Sequence, residues 1–432
     1  MLLCMLESRP LSRRRPLPGS RPFHLLLAAL AVSSCGDWLY NVALLAFVYE
    51  RTHSGTWIAL TTAARVAPIV CLGPLGGVLA DRHDRRALMI TSDLIRAALM
   101  VGLAAVAAVG LPVVLAPVLA AAATAASSVH PPCVAVCTAR LVPDSELQRA
   151  NALRAAIGQA AIVAGPALGA VVLLASSPAI AILANALTFI GSAGAIASVA
   201  PGPAFAPPRA PAKRRSGALA DVAAGARALR GAPAATRLVA ADALCSGVSG
   251  LLTVTLVLVS RKLGAGNGGY GLLLGACGVG GVLGATLTGR MADSARWRTT
   301  LMGALLLVAG MLVVLGSVPS FFEALVAALV GGGGLVVGEV LSETALPRML
   351  DDDVLARAYG LVLPVSLGGI VIGSLLAGPL VSLLGVAGTL TATGMIVLVA
   401  CALLVRRPLV PAAAPTLPSA LGAREGVGIH PS

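Results

Sequence analysis

Aromatic and charged residues are both scarce in this chain of 432 residues. Only 3% of its residues are aromatic and 11% are charged, whereas 57% are hydrophobic and the mean hydropathy is +0.92. Soluble globular proteins carry about 25% charged residues, so water is not the main solvent of this chain. Membrane β-barrels carry girdles of aromatic residues, and the scarcity of aromatics argues against a barrel. Ala, Leu, Val and 49 glycines supply the apolar mass, which favours membrane helices that pack closely through small residues.

The sequence also lacks the motifs of several functional classes. It has no Walker loop, no zinc-ligand spacing and no Ser or Cys nucleophile with plausible partners, so we expect no enzyme, no cofactor and no metal site. Its eight cysteines lie mostly inside apolar runs without a CxxC pair, as small buried hydrophobes do. The net charge of +13 comes from basic residues scattered between apolar segments, which argues against a nucleic acid partner.

Long apolar runs separated by Gly, Pro or charge predict the fold class. About 20 apolar residues span a hydrocarbon core about 30 Å thick, and twelve runs of that kind occur. We therefore predict an all-α membrane protein with about twelve transmembrane helices. The predicted spans are 23–48, 57–80, 87–109, 112–137, 150–174, 178–200, 236–260, 268–289, 299–317, 320–342, 355–383 and 387–405.

The basic residues predict the orientation in the membrane. With a cytoplasmic N-terminus, all but four of the 31 lysines and arginines are assigned to the cytoplasmic side. The four are Arg51, Arg65, Arg261 and Lys262. This distribution follows the positive-inside rule. We therefore predict that both termini are cytoplasmic, as a tail at 1–22 and a disordered tail at 406–432.

An internal repeat appears when the chain is compared with itself at an offset of 208 residues. Nine identical pairs share this offset. They are Gly73/Gly281, Gly76/Gly284, Leu79/Leu287, Arg82/Arg290, Arg140/Arg348, Asp144/Asp352, Leu147/Leu355, Arg149/Arg357 and Gly165/Gly373. We predict two pseudo-symmetric six-helix bundles, 23–200 and 236–405, around a central cavity. The segment 201–235 is predicted to be a basic cytoplasmic linker, with a short surface helix at Ser216–Arg230.

The loop between the second and third spans contains the most specific motif. The run Gly77-Val78-Leu79-Ala80-Asp81-Arg82-His83-Asp84-Arg85-Arg86 resembles the G-x-L-a-D-R-x-G-R-R signature of the major facilitator superfamily, with Asp84 where the common pattern has Gly. Together with Gly36-Asp37, this variant is similar to the drug antiporter branch that includes macrolide efflux proteins and the enterobactin exporter. The resemblance covers Phe23 to Arg407 and implies the major facilitator fold in a bacterial inner or plasma membrane.

This loop is expected to act as a gate. The candidate residues are Gly77, Asp81, Arg82, Asp84, Arg85, Arg86, Asp93 and Arg96. Gly77 lets another helix approach closely, and Asp81 complements a helix N-terminus. The arginines can pair with carboxylates such as Asp93, which makes a charge latch that favours one access state. The alternative is a positive-inside anchor alone.

In the fifth span, Gly165-Pro166-Ala167-Leu168-Gly169 resembles the core of the antiporter signature of superfamily exporters. Gly and Pro there permit a bend and tight packing against the other half. Simple helix packing is the alternative, since both residues are ordinary in membrane helices. The fourth span lacks the intramembrane Arg that many proton antiporters of the superfamily carry.

Charges inside the predicted spans are candidates for proton coupling, because such charges are costly. Asp37 and Arg65 lie at matching depth, about 21 to 22 Å from the cytoplasmic ends of adjacent spans. Asp37 is the predicted protonation site, with a charge that depends on the approach of Arg65. A static ion pair is the alternative. Asp242, near the repeat-related position of Asp37, and Glu339 are further candidates. The alternatives are that Asp242 pairs with Arg237 and that Glu339 caps nearby loop groups. His130 is either a titrating group or a hydrogen-bonded packing residue.

The resemblance implies a secondary active transporter. The expected function is proton-coupled efflux of a small organic or drug-like molecule by alternating access. We expect a monomer in a lipid bilayer, with protons as the coupling ion and a small molecule as the substrate. Two alternatives remain from the sequence. They are an importer with the same fold and a membrane sensor or assembly factor that transports nothing.

Overall fold

A computed structural model describes residues 20–207, 227, 233–291, 297–345 and 352–405. The predicted tail up to residue 19, most of the predicted linker with its helix at Ser216–Arg230, and the predicted tail at 406–432 lie outside the described residues.

Twelve α-helices, and no strand, occur among the described residues. The N-terminal half consists of α1 (Arg21–Thr52), α2 (Gly55–Arg82), α3 (Arg85–Val109), α4 (Leu115–Ser127), α5 (His130–Leu141), α6 (Asp144–Ala175) and α7 (Pro178–Ala197). The C-terminal half consists of α8 (Pro233–Lys262), α9 (Gly266–Met291), α10 (Trp297–Ser317), α11 (Phe321–Ala345) and α12 (Asp352–Val405). The predicted all-α membrane fold is confirmed.

Eleven stretches of the described helices are long and apolar enough to cross a membrane. One of them, Leu115–Leu141, combines α4 and α5, and another, Pro364–Leu403, is 40 residues long. Forty helical residues rise about 60 Å, twice the thickness of a hydrocarbon core. The helix is interrupted at Gly385, whose φ of 69° and ψ of 174° are not helical. Gly385 lies between the predicted spans 355–383 and 387–405, so this stretch is long enough for two crossings.

The two halves pack together at one end of the molecule. We call the end where α1 passes into α2 the opposite end, and the end where α2 passes into α3 the basic end. Near the opposite end, Val42, Leu45, Ile58 and Ala59 share one buried apolar cluster with residues of the C-terminal half. Those partners include Val254, Val257, Leu273 and Ala377. This cluster closes the space between the halves at the opposite end.

Small residues bring α6 close to α9 and α2 close to α12. A Cβ placed on Gly271 of α9 would lie 2.8 Å from the Pro166 carbonyl oxygen of α6, and one on Gly378 of α12 would lie 2.8 Å from the Thr56 hydroxyl of α2. Toward the basic end, by contrast, no atom of the described part of the chain lies within 4 Å of such a Cβ on Gly77 or Gly158. The halves therefore touch at the opposite end and the centre, and the space between them faces the basic end.

Candidate functional site

A cavity of about 520 Å³ lies between the two halves. A volume of this size is typical of sites for small organic ligands. The wall is mostly apolar, and its charged residues are Asp37, Arg65, Arg96, Asp242 and Glu339. The fold thus brings the four candidate proton-coupling residues to one cavity, and it adds Arg96.

Asp37 forms an ion pair with Arg96 across the cavity wall. One Nη2 nitrogen of Arg96, on α3, lies 2.6 and 2.8 Å from the two carboxylate oxygens of Asp37, on α1. The Arg96 guanidinium also lies 3.8 Å from the ring centroid of Phe189 on α7. Gly36 allows this approach of α1 and α7, since a Cβ there would lie 2.2 Å from the Asn185 amide oxygen. The Arg96 side chain is 7% exposed and that of Asp37 is 36% exposed, so the carboxylate faces the cavity and the guanidinium lies behind it.

Behind Arg96, the polar chain continues to a fully buried carboxylate. Asp93 has an oxygen 3.5 Å from Nη1 of Arg96, and it accepts a 2.6 Å hydrogen bond from the Ser192 hydroxyl of α7. The Nε2 atom of His130, the first residue of α5, lies 2.9 Å from Oδ1 of Asp93, the same oxygen that faces Arg96, whereas Ser192 donates to Oδ2. Asp37, Arg96, Asp93 and His130 therefore form a continuous polar network from the cavity into the N-terminal half. Two carboxylates share one guanidinium in this network.

Arg65 has different partners from the one expected. Its Nε donates a 2.8 Å hydrogen bond to the Tyr40 hydroxyl, and its Nη1 donates to the Asn41 side-chain oxygen. No ion pair of Arg65 with a carboxylate occurs among the described residues. The expected pairing of Arg65 with Asp37 is not present, because counting residues from a helix end gives depth but not the direction a side chain faces. Asp37 faces α3, and Arg65 reaches the next turn of α1.

The C-terminal half contributes carboxylates but no basic side chain to the described cavity wall. Asp242 of α8 is 4% exposed and accepts a hydrogen bond from the Ser366 hydroxyl of α12. Glu339 of α11 borders the same space. Tyr270 of α9 also borders the cavity, and its buried hydroxyl has no hydrogen-bond partner among the described residues.

The arginines of the candidate gating loop bind backbone carbonyls. Arg85 is 1% exposed; its backbone N–H donates to the Phe205 carbonyl at 2.9 Å, and its Nη1 donates to the Ala206 carbonyl at 2.5 Å. Arg86 donates to the carbonyl of Ala197, the last residue of α7, at 2.6 Å. Helix C-termini leave such carbonyls without intrahelical partners, which favours basic side chains there. The start of the predicted linker is therefore held against the loop.

The expected pairing of these arginines with Asp93 is not present, since Asp93 lies deeper with Arg96 and His130. Asp81 instead lies 3.6 Å from Arg85, and Arg82 is exposed. Asp84 caps α3 by accepting a 2.8 Å hydrogen bond from the Ala87 backbone N–H. This cap gives a physical reason for Asp84 in place of the Gly of the common pattern.

The close approach expected at Gly77 occurs one residue earlier. A Cβ on Gly76 would lie 2.2 Å from the Ser128 carbonyl oxygen after α4, whereas one on Gly77 would meet no atom within 4 Å. A step of one residue turns a helix position by about 100°, so the two glycines face different neighbours. Among the described residues, nothing fills the space beside Gly77 in this conformation.

The glycines of the α6 motif contact their own half. A Cβ on Gly165 would lie 2.3 Å from the Trp38 Cβ, and one on Gly169 would lie 3.0 Å from the Leu39 carbonyl oxygen, both on α1. The expected tight packing of these glycines against the other half is therefore wrong for this conformation. The inter-half contact of this motif is made instead by the Pro166 carbonyl, which faces Gly271, and by Ala167, which faces Gly275 of α9. The helix continues through Pro166 as part of Asp144–Ala175.

Sequence reasoning assigned Arg96 to the gating loop and missed its place in the cavity. The signal was present, since Asp93 and Arg96 are spaced i, i+3 inside an apolar span, where they share one helix face. Such a pair within a membrane helix indicates a buried polar partner on a neighbouring helix.

Comparisons with known proteins agree with this architecture. A model of the major facilitator family described as transmembrane secretion effector matches residues 15–422. The chain is 28% identical over 240 residues to the uncharacterised MFS-type transporter YfiS of Bacillus subtilis (strain 168), over 55% of this chain and 54% of that protein. It is 29% identical over 149 residues to macrolide efflux protein A of Streptococcus pyogenes, over 34% of this chain and 37% of that protein. The aligned region thus spans about half or less of these relatives.

Among solved structures, the fold is similar to that of a bacterial homologue of the human lysosomal transporter Spinster in an inward-facing, unoccupied conformation. The TM-score is 0.69 at 13% identity, and the match covers 89% of this chain and 97% of that one. At this identity the likeness concerns the fold. Because the family model covers nearly the whole sequence, the chain belongs to the transmembrane secretion effector family of the major facilitator superfamily.

Proposed function

We propose that the protein is a secondary active transporter that exports a small organic molecule in exchange for protons. The observation that carries the proposal is the polar network from Asp37 to His130 on the wall of a cavity that is closed at one end. Alternating access requires a central cavity between two halves that can rock. Export is supported by the likeness to macrolide efflux protein A.

We place the basic end in the cytoplasm of a bacterial cell, with both termini on that side, the halves at 23–200 and 236–405, and the linker at 201–235 between them. The basic residues of the α2–α3 and α5–α6 turns support this orientation. The cavity then faces the cytoplasm, which is the side on which an exporter loads its substrate. A Spinster homologue of similar fold was solved in an inward-facing conformation.

Asp37 is the proposed site of proton exchange, because it is the carboxylate of the network that borders the cavity. The charged and titratable groups around it are Arg96 and Asp93 of α3, His130 of α5, Arg65 of α2 and Tyr40 of α1. A proton on Asp37 removes the carboxylate charge that holds Arg96, and Arg96 is then left to Asp93. Protonation would thus weaken the contact between α1 and α3.

The test is uptake by proteoliposomes containing the purified protein, with a pH gradient imposed across the membrane. The probes are tritiated erythromycin, tetraphenylphosphonium and Nε-dansyl-lysine, which represent a macrolide, a lipophilic cation and a zwitterion. We expect gradient-driven uptake of at least one probe, and Asp37→Asn should abolish accumulation against a gradient while leaving a folded, monodisperse protein.

Glu323→Gln is a matched control, because it also neutralises one carboxylate and Glu323 is exposed and lies outside the cavity. Uphill uptake by Asp37→Asn at the wild-type rate would refute the coupling role. If none of the probes were moved by folded wild-type protein, export of these classes would be refuted and a non-transporting role favoured.

A further inference from the structure

The charges on the two walls of the cavity differ. On the N-terminal wall, Asp37 and Arg96 neutralise each other, and Arg65 has neutral hydrogen-bond partners. On the C-terminal wall the charged residues are Asp242 and Glu339, both acidic. The cavity therefore offers a guanidinium on one wall and carboxylates on the other.

A guanidinium whose partners among the described residues are neutral, and which lies on a mostly apolar cavity wall, favours an anionic ligand group. The Arg65 guanidinium lies over the Tyr40 ring, 4.9 Å from its centroid, and hydrogen-bonds the Tyr40 hydroxyl and the Asn41 amide. These contacts orient it without neutralising it. Hydrogen bonds between a guanidinium and a carboxylate are among the strong ones, because both partners are charged.

A second observation points to a ligand beside Arg65. The Tyr270 hydroxyl, from the C-terminal half, is fully buried, borders the cavity and has no hydrogen-bond partner among the described residues. Arg65 and Tyr270 border the same cavity. Buried hydroxyls nearly always find a partner, so the unmet donor is explained if a ligand oxygen occupies the space between Arg65 and Tyr270.

Asp242 provides the complementary subsite. Its carboxylate accepts a hydrogen bond from Ser366, and no ion pair of Asp242 occurs among the described residues. A carboxylate held in a mostly apolar wall favours a cation that can approach it. Glu339 adds a second carboxylate to the same wall.

Resting on the proposed function, we infer that the transported molecule is zwitterionic: its carboxylate binds Arg65 and Tyr270, and its ammonium group binds Asp242 with Glu339 nearby. Amino-acid derivatives and short peptides with an apolar side group have this chemistry and fit a cavity of about 520 Å³. Such a ligand contacts both halves at once. Its binding energy would therefore favour the rearrangement that closes the halves around it.

Three fluorescent probes with one dansyl group test the inference. They are Nε-dansyl-lysine, its methyl ester and its Nα-acetyl derivative, which carry both charges, only the cation and only the anion. Binding to full-length protein in lipid nanodiscs is measured from the dansyl emission. We expect the zwitterion to bind about tenfold more tightly than either single-charge probe, because each lost charge removes one charge-assisted contact.

Two variants assign the charges to the walls. Arg65→Gln should weaken the zwitterion and the acetyl derivative about tenfold and leave the ester unchanged, whereas Asp242→Asn should weaken the zwitterion and the ester and leave the acetyl derivative unchanged. Arg51→Gln and Glu323→Gln are matched controls, since both residues are exposed and lie outside the cavity. Arg65→Lys keeps the charge and should retain most of the binding.

Binding of the three probes to the wild-type protein decides the charge class of the ligand. If the ester binds as tightly as the zwitterion, the site takes cations, and if no probe binds, the inference is wrong. Equal losses for all three probes in Arg65→Gln and Asp242→Asn would show that the two charges are structural. The failure of this inference can be distinguished from the failure of the proposed function. If the zwitterion does not bind but the same preparation still takes up the lipophilic cation when driven by protons, the zwitterion class is wrong and the transporter proposal stands.

Discussion

A polar cluster at the opposite end joins the two halves, and its strength predicts how the ratio of two conformations changes when the cluster is weakened. Arg261, the penultimate residue of α8, has its Nη2 atom 3.3 Å from Oε1 of Glu50 on α1, and the Asn267 side chain of α9 donates to the same Glu50 oxygen at 2.5 Å. Arg261 also donates to the Asn267 side-chain oxygen and lies 5.7 Å from the Tyr49 ring centroid. Opening the cavity toward the opposite end must separate Glu50 from Arg261. We therefore expect this cluster to favour the conformation described here.

The free energy involved is modest, because both side chains are partly exposed. The Arg261 side chain is 34% exposed and that of Glu50 is 39% exposed. Exposed ion pairs contribute about 0.2 to 1 kcal/mol, and an exposed cation–π contact adds about 0.5 to 1 kcal/mol. Glu50→Gln keeps the cation–π contact. We expect it to destabilise the conformation that is closed at the opposite end by about 1 kcal/mol or less, relative to the conformation that is open there. A change of 1 kcal/mol is about a fivefold change in the ratio of the two conformations.

Spin-label distances measure that ratio directly. Labels on cysteines introduced at Pro112 and Pro319, in a background without the native cysteines, place one reporter on each half, in exposed loops at the opposite end. Glu50→Gln should raise the long-distance population up to about fivefold. Raising the salt concentration should reproduce part of the shift in the wild type, since exposed ion pairs are screened.

The double variant Glu50→Gln/Arg261→Gln separates the contact from unrelated effects. If the two residues act through one interaction, the double variant shifts the population less than the sum of the single variants. Arg51→Gln is the control, because Arg51 donates to the Gly110 carbonyl within the N-terminal half. Additive shifts, or an equal shift in the control, would contradict a stabilising contact between Glu50 and Arg261.

Two further predictions concern the stability of the N-terminal half. Gly36→Ala places a Cβ 2.2 Å from the Asn185 amide oxygen, and we expect it to cost about 1 to 3 kcal/mol and lower the melting temperature in detergent. Gly191→Ala, which meets no atom within 4 Å, should leave it unchanged, and equal melting of the two variants would contradict the packing. Arg96→Gln leaves the Asp93 carboxylate buried without its guanidinium and should cost about 3 to 5 kcal/mol. Adding Asp93→Asn should recover part of that loss, and a further loss instead would contradict the charge account.

The fold followed from the sequence because membrane thickness sets the length of each apolar run. The spans were predictable from run length alone, including the break between 355–383 and 387–405, where Gly385 takes a φ of 69°. Positive φ is adopted readily by glycine and rarely by other residues, so a Gly between two long apolar runs is a physical signal of a turn. The 208-residue offset similarly indicated two related halves.

The contacts of the candidate site were less predictable, because they depend on the rotation of each helix about its axis. Residue counting gave Asp37 and Arg65 the same depth, yet Asp37 contacts Arg96 and Arg65 contacts Tyr40 and Asn41. A rotation of about 100° per residue separates these outcomes. The arginines of the gating loop could not be placed either, since their acceptors are backbone carbonyls at 197–206 that no side-chain pattern reveals.

The exchange of roles between the two cavity arginines changes how the mechanism must work. Had Arg65 neutralised Asp37, a proton on Asp37 would in the proposed mechanism have freed Arg65 for the substrate, and proton and substrate would have acted on one ion pair. With Arg96 as the partner of Asp37, the proton acts on a contact between α1 and α3, while Arg65 stays available to the ligand. In the proposed mechanism, proton and substrate occupy neighbouring but separate sites, and their coupling passes through the position of α1, which holds Asp37, Tyr40 and Asn41 together.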